Sequence, residues 1–205
     1  MTMPSGQICS VSVDLDPLDC YHRIHTLGEV PEALRDVVLR RGLPRFLDVL
    51  GRRGLRATFF VVGEDLVPGS RTGTEAGRAI VAEAGAAGHE LASHSFSHPY
   101  ELVRMERARV EEEIDRAHAA IASLGAPPVG FRSPGYNLSP AVIDVLVARG
   151  YRYDSSILPA PLYYGAKAAV MGAMKIAGRP SGSTLGDPRF LLAPPAPYRP
   201  ALGAP

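Results

Sequence analysis

The chain has 205 residues, enough for one domain with a substantial core, and its 22 Lys and Arg residues nearly balance its 21 Asp and Glu residues. Without a Lys/Arg run, this balance argues against a nucleic-acid partner. The sequence contains no run of ~20 apolar residues and no signal-peptide pattern at its start. We therefore expect a single cytoplasmic domain without a membrane span, while the oligomeric state stays open.

Short apolar runs alternate with helix-like segments along the first three quarters of the chain. The predicted strands are 8–13, 57–62, 89–93, 129–132 and 151–154. The predicted helices are 31–41, 44–53, 75–87, 102–124, 140–149 and a small-residue helix at 167–176. Repeated strand-helix units indicate an α/β fold with a mainly parallel sheet, either an open doubly wound sheet or a β/α barrel.

The sequence also predicts which side chains the helices bury. One face of helix 44–53 is expected to carry Phe46, Leu47 and Leu50. The inner stripe of helix 102–124 is expected to consist of Val110, Ile114, Ala117 and Ile121, with the glutamates 111–113 on its solvated face. Cys9 is expected in the first buried strand and Cys20 in a loop, and two thiols do not make a disulfide scaffold.

The alternating pattern stops near residue 157. Residues 159–205 are rich in Pro, Gly and Ala, and we expect the fold to lack its C-terminal part, because a β/α barrel usually takes ~250 residues. Residues 179–205 are expected to form a loosely ordered tail. No histidine follows His118.

Chemically useful side chains lie at or directly after the ends of four of the five predicted strands. They are Asp14 and Asp16, His94 and His98, Arg132, and Asp154. Because the carboxyl ends of parallel strands lie on one side of a sheet, where α/β enzymes build their sites, we expect these side chains to converge. Two histidines four residues apart, together with a carboxylate and an open coordination position, are typical of hydrolytic metal centres. Zinc suits this donor set best, and cobalt, nickel or iron also fit.

Structural interpretations compete with the functional ones. Asp14 or Asp16 alone could cap a turn before Pro17, and Asp154 before two serines could be a turn former. His22 and His25 are near enough in sequence to reach the site, but solvated loop positions explain them better. His89 is expected to be structural, and His118 is expected at the boundary between core and surface.

Four motifs in order resemble the polysaccharide deacetylase family, also called the NodB-homology domain. They are Ser12-Val-Asp-Leu-Asp16, His94-Ser-Phe-Ser-His98, Arg132-Ser-Pro-Gly-Tyr136 and Tyr153-Asp-Ser-Ser156, within residues 8–160. The resemblance implies a distorted (β/α) barrel that removes acyl groups, usually acetyl, from amides of amino sugars. The spaced aspartates are similar to a branch that includes hydrolases of non-sugar amides.

The resemblance also implies a role for each motif residue. Asp14 would be the general base, and the metal ligands would be Asp16, His94 and His98. Arg132 would orient Asp14, Asp154 would tune a histidine acid, and Pro134 and Tyr136 would contact a small-molecule or glycan substrate. The family's last motif carries that histidine, and this sequence has none there. The proton donor is therefore open, with His22 and His25 as local candidates. A ureide or other amide hydrolase and a catalytically impaired glycan- or metal-binding domain remain alternatives.

Overall fold

The computed structural model describes residues 9–178, 181–182, 185, 187–194 and 196–197. Five strands form one parallel sheet in the order β1-β2-β3-β4-β5. They are β1 (Ser12–Leu15), β2 (Thr58–Val61), β3 (Glu90–Ser93), β4 (Gly130–Phe131) and β5 (Tyr153–Asp154). This confirms the α/β class and the parallel sheet. Within the described ranges, β1 and β5 are the two edges of the sheet.

Six α-helices accompany the sheet in the part of the chain that the structure describes. They are α1 (Leu18–His25), α2 (Leu43–Arg52), α3 (Glu75–Ala86), α4 (Arg107–Ala122), α5 (Pro140–Ala148) and α6 (Pro161–Ile176). Short 3-10 turns occur at Glu32–Leu34, Gly63–Leu66, Leu102–Arg104, Pro134–Tyr136 and Pro188–Leu192. None of the helices in these ranges is long and apolar enough to cross a membrane.

Two predicted helices differ from the observed ones. Residues 31–41 do not form an α-helix but a 3-10 turn and then a π turn at Val38–Gly42 that runs into α2. Pro44 has no N–H for the carbonyl four residues earlier, and the wider turn accommodates its ring. The predicted helix 102–124 begins only at Arg107, because Met105 and Glu106 have extended backbone.

The first strand is shifted relative to its prediction and is followed by an unexpected helix. β1 begins at Ser12, so Cys9 precedes it and is exposed, while residue 8 of the predicted strand lies outside the described residues. Cys20 is buried on α1, where a loop had been predicted. Burial raises the pKa of the Cys20 thiol to about 12, so it is an inert core residue.

Among the described residues, two apolar clusters hold α2, α3, α4 and α5 to the sheet. One joins β1 and β2 to α2, α3 and the C-terminal turn of α4, and the other joins β4 to α4 and α5. The inner stripe predicted for α4 is confirmed, because Val110, Ile114, Ala117 and Ile121 are all at most 1% exposed. The face predicted for α2 is partly wrong: Leu50 is buried, but Phe46 is 44% exposed.

Candidate metal centre and active site

Strand register explains why distant motifs meet. Leu15, Val61, Ser93, Phe131 and Asp154 are paired in one row across the five strands. After this row the backbone of each strand leaves the sheet at the same, carboxyl-terminal end. The residues directly after the row include Asp16, His94, Arg132 and Ser155. The expected convergence of strand ends is therefore observed, although these residues come from positions 16 to 155 of the sequence.

Asp16, His94 and His98 form a compact triad of possible metal ligands. Oδ1 of Asp16 lies 3.2 Å from Nε2 of His94 and 3.4 Å from Nε2 of His98. One ligand atom from each residue falls within 4.8 Å of the others. The histidine side chains are buried, at 2% and 1% exposure, while Asp16 keeps 17%. The triad is thus buried on the histidine side and reachable on the carboxylate side.

The bonding of the triad fits a cation. Oδ1 of Asp16 and Nε2 of His98 are buried and have no hydrogen-bond partner among the described residues. Unpartnered buried polar atoms cost free energy, which a bound cation would recover. Nδ1 of His94 lies 2.6 Å from the carbonyl of Arg132, which can only accept, so Nδ1 carries the proton. In the neutral ring, Nε2 then carries the lone pair and faces Oδ1 of Asp16. This is the arrangement of a metal-binding histidine whose other nitrogen is held by a hydrogen bond.

The electrostatics of the triad favour an ionised carboxylate. Burial alone raises the pKa of Asp16, but the two imidazoles beside it more than offset this and hold that pKa well below its usual range. Burial lowers the pKa of His98, so it stays neutral. For His94 burial acts the same way, yet the neighbouring Asp16 raises its pKa overall. An ionised carboxylate and neutral imidazoles are the ligand charges that a divalent cation requires, and binding a cation would release any proton on His94.

The loop between the two histidines has an unusual backbone. Ser95 and His98 both adopt left-handed conformations, with φ of 63° and 55°. Non-glycine residues rarely do so, and they cluster at functional sites. These two turns bring the imidazoles to one side, with ring centroids 4.8 Å apart.

Asp14 stands beside the triad and is held by two donors. Nη1 of Arg132 lies 2.6 Å from its Oδ1, and the hydroxyl of Tyr136 donates to its Oδ2 over 3.2 Å. The same Oδ2 is 4.0 Å from Nε2 of His94. Asp14 is therefore next to the triad and outside it, and each of its oxygens keeps a lone pair for a further proton.

Arg132 is itself fixed on three sides. Its Nη2 donates to the hydroxyls of Ser12 at 2.9 Å and Ser155 at 2.8 Å, and its Nε donates to the Ser155 carbonyl at 3.1 Å. Its guanidinium carbon lies 4.0 Å from the centre of the Phe60 ring. The guanidinium of Arg132 thus cannot rotate away from Asp14 without losing several of these contacts.

Pro134 and Tyr136 form the turn that follows β4. Pro134 is buried, whereas Tyr136 reaches Asp14 from a left-handed backbone with φ of 59°. Burial and then the charge of Asp14 raise the pKa of Tyr136 to about 12, so its hydroxyl keeps its proton and acts as a donor. Substrate contacts of these two residues stay a prediction.

Asp154 has the bonding of a turn former. Its carboxylate accepts from the N–H of Ser156 at 2.9 Å and from its hydroxyl at 2.6 Å, and that hydroxyl accepts from the N–H of Ser133 at 2.8 Å. Burial raises its pKa. No histidine of the described residues bonds to it, so a role in tuning a histidine acid stays a prediction.

The other four histidines lie on α1, directly before β3 and on α4. His22 and His25 are on α1, where loop positions had been predicted, and Nδ1 of His22 contacts the Gly28 carbonyl at 3.1 Å. The structural role expected of His89 is observed: it is buried and accepts from the N–H of Ala57 at 3.1 Å. His118 packs edge-on against Tyr151.

Glu113 is the residue near the site that the sequence analysis missed. It was expected on the solvated face of α4, but it is only 6% exposed and accepts hydrogen bonds from Phe96 and Ser97. The signal was present, because Glu113 lies three residues after Val110 and four before Ala117, on the buried stripe. The run of three glutamates obscured it.

More than half of the sequence matches a known protein family. The family model for polysaccharide deacetylase matches residues 35–153, more than half of the chain. Peptidoglycan deacetylase-like protein FGM2 of Gibberella zeae is 31% identical over 130 residues, 61% of this chain and 36% of that protein. Chitooligosaccharide deacetylase of a Bradyrhizobium species is 41% identical over 93 residues, 44% of this chain and 38% of that protein. The matched region thus spans little more than a third of these curated relatives.

A solved structure of a polysaccharide deacetylase homologue from Mycobacterium smegmatis shares the fold. It superposes with a TM-score of 0.63 at 22% identity, over 77% of this chain and 54% of that one. This likeness agrees with the expected barrel-type α/β fold. With the family match over more than half of its length, the chain belongs to the polysaccharide deacetylase family.

Proposed function

We propose that this protein is a metal-dependent hydrolase that removes the acetyl group from N-acetylated amino sugars in a glycan. The observation that carries the proposal is the pairing of the Asp16, His94 and His98 triad with a separately held carboxylate, Asp14. The printed names of the relatives, which concern peptidoglycan and chitooligosaccharides, support a glycan substrate. Zinc as the metal and a cytoplasmic location stay predictions from the sequence.

The triad supplies the site for the ion. Asp16, His94 and His98 would hold it, and the bound ion would contribute Lewis acidity, which polarises an amide carbonyl and makes water more acidic. The Arg132 carbonyl keeps His94 in the tautomer that this role needs. Because both histidines are buried, the substrate approaches from the side of Asp14 and Asp16.

Asp14 does the proton transfer in this proposal. Arg132 and Tyr136 fix both of its oxygens and leave one lone pair on each, so it can take a proton from the attacking water. Once protonated, Asp14 can return this proton to the leaving nitrogen. We propose this return because, among the described residues, no histidine outside the ligand pair forms a hydrogen bond with Asp14.

An assay of acetate release from N-acetylated chitooligosaccharides tests the proposal. We expect turnover that a chelator removes and Zn²⁺ restores. Asp14→Asn should retain zinc and lose roughly 10²–10⁴-fold in rate, the usual contribution of general base catalysis. The matched control, Asp48→Asn, removes an exposed carboxylate on α2 that is paired with Arg52 and should leave the rate unchanged.

Two outcomes would contradict different parts of the proposal. Turnover that survives the chelator, or an Asp14→Asn variant as fast as wild type, would contradict the mechanism. Metal-dependent hydrolysis of a ureide or linear amide without release of acetate from the oligosaccharide would contradict the substrate alone.

A further inference from the structure

The loop that joins His94 to His98 is held by hydrogen bonds from other parts of the protein. The carbonyl of Ser95 accepts from the N–H of Gly63 at 3.0 Å, and the carbonyl of Phe96 accepts from the N–H of Glu64 at 2.9 Å. The carbonyl of Ser97 accepts from Nη2 of Arg23 at 3.1 Å. The turn after β2 and helix α1 therefore take the carbonyls of this loop.

One side chain takes two of the backbone donors of this loop. Oε2 of Glu113 accepts from the N–H of Phe96 at 3.1 Å and from the N–H of Ser97 at 2.9 Å. Its Oε1 accepts from the Ser97 hydroxyl at 2.7 Å. Both oxygens of a buried carboxylate act as acceptors, and the donors come from the middle of the segment between the two histidines.

These bonds bear directly on the conformation of the loop. Phe96 and Ser97 lie between Ser95 and His98, the two residues with left-handed backbone. Such conformations persist only where the surroundings determine them. Without Glu113, the buried N–H of Phe96 and the partly buried N–H of Ser97 would lose their partner. Rearranging to reach water would then lower the free energy of the loop. Any such rearrangement changes the distance between the two imidazoles.

Two contacts of neighbouring residues on α4 show that Glu113 projects from a rigid support. It projects from α4 beside Ala117, whose backbone packs so closely on Gly63 that an added Cβ there would lie 2.8 Å from its Cα. Arg116, three residues after Glu113 on the same helix, places its guanidinium 3.7 Å from the centre of the Phe96 ring. The anchor of the loop is thus a packed helix and not another loop.

We propose that Glu113 is a positioning residue for the metal centre: it fixes the backbone between the two histidine ligands and so sets the affinity of the triad for its cation. This inference rests on the metal site of the proposed function. Glu113 acts through the loop, with no contact to the triad among the bonds described above. The proposal therefore concerns metal affinity first and activity only as a consequence.

Zn²⁺ affinity, measured by competition with a chromogenic chelator on the full chain, tests this proposal. Loss of a residue that orients metal ligands typically costs 10–100-fold in affinity, and we expect this for Glu113→Ala. Glu113→Gln should lose less, because its amide oxygen can still accept from the backbone. Glu111→Gln is the matched control: this glutamate of the same helix is 32% exposed and pairs with Arg107, and its variant should bind as wild type does.

A stability control separates positioning from general destabilisation. Ile121→Ala, on the same helix, truncates a fully buried side chain of the core cluster around β1 and β2 and should lower the thermal midpoint without changing Zn²⁺ affinity. Wild-type affinity in a folded Glu113→Ala protein, or an equal loss in Ile121→Ala, would overturn the proposal.

Milder variants carry the test if Glu113→Ala does not fold. Ser97→Ala removes only the hydroxyl contact to Oε1 and should weaken Zn²⁺ binding less than Glu113→Gln does. Wild-type affinity in Glu113→Gln would then overturn the proposal. Failure of the wild type itself to bind Zn²⁺ would instead contradict the proposed function, so the two failures are distinguishable.

Discussion

Asp65 gives a prediction whose size can be worked out from the structure. It lies in the turn after β2 at 2% exposure, and its Oδ1 has no hydrogen-bond partner in the described ranges. Burial raises its pKa to about 7, with the charges of Glu64 and Asp16 adding to the effect and Thr72 partly opposing it. Against an ordinary value of 3.8, the difference is about three pH units. At about 1.4 kcal/mol for each unit, ionised Asp65 costs the folded state about 4 kcal/mol.

The sign follows from proton linkage. Because the folded-state pKa of Asp65 is raised, the folded protein binds the proton more tightly than the unfolded chain does. Its contribution to stability is fully present below about pH 4, falls as the pH rises and is lost above about pH 7. Asp65→Asn is neutral at every pH and nearly the same shape. Its stability advantage over wild type should therefore grow by about 2–3 kcal/mol between about pH 5 and about pH 8.

Urea unfolding of the chelator-treated proteins at a series of pH values measures this difference. Asp48→Asn serves as the control, since Asp48 is 59% exposed. The reasoning would be refuted by an Asp65→Asn advantage that stays constant over this pH range, or by a variant less stable than wild type at about pH 8.

Two further predictions concern the residues that hold Asp14. Arg132→Met should keep zinc but lower the rate of hydrolysis on the order of 10²-fold, because the catalytic carboxylate loses its orientation. Arg132→Lys should not restore the rate, since an ammonium cannot replace the planar guanidinium. A kcat as high as that of wild type with full metal content would count against this. Tyr136→Phe removes one hydrogen bond to a charged oxygen and should cost about tenfold in kcat with KM little changed; a change confined to KM would instead assign Tyr136 to substrate binding.

Periodicity and spacing predicted the parts of the site that depend on topology. The five strands, the stripe of α4 and the convergence of Asp16, His94 and Arg132 follow from apolar runs and from the geometry of parallel strands. Those features are set by backbone directions, which a one-dimensional pattern encodes well.

The missed features depend on particular neighbours in space. Glu113 is buried because Phe96 and Ser97 present N–H groups to it, and the sequence does not show which carboxylate meets those donors. The bonds from Arg132 to Ser12 and Ser155 require the register of three strands. Phe46 is exposed although its spacing matches that of Leu50. Its exposure could not be predicted, because the sequence does not reveal how much of each helix face other elements cover.

Metal content is the most direct test of the central claim, which is that Asp16, His94 and His98 form a metal centre. Elemental analysis after equilibration with Zn²⁺ should give about one ion for each wild-type chain and for Asp14→Asn, because Asp14 lies outside the triad. Asp16→Ala, His94→Ala and His98→Ala should each lose most of it. Equal metal content in wild type and all three triad variants would contradict the account, as would an Asp14→Asn protein without zinc.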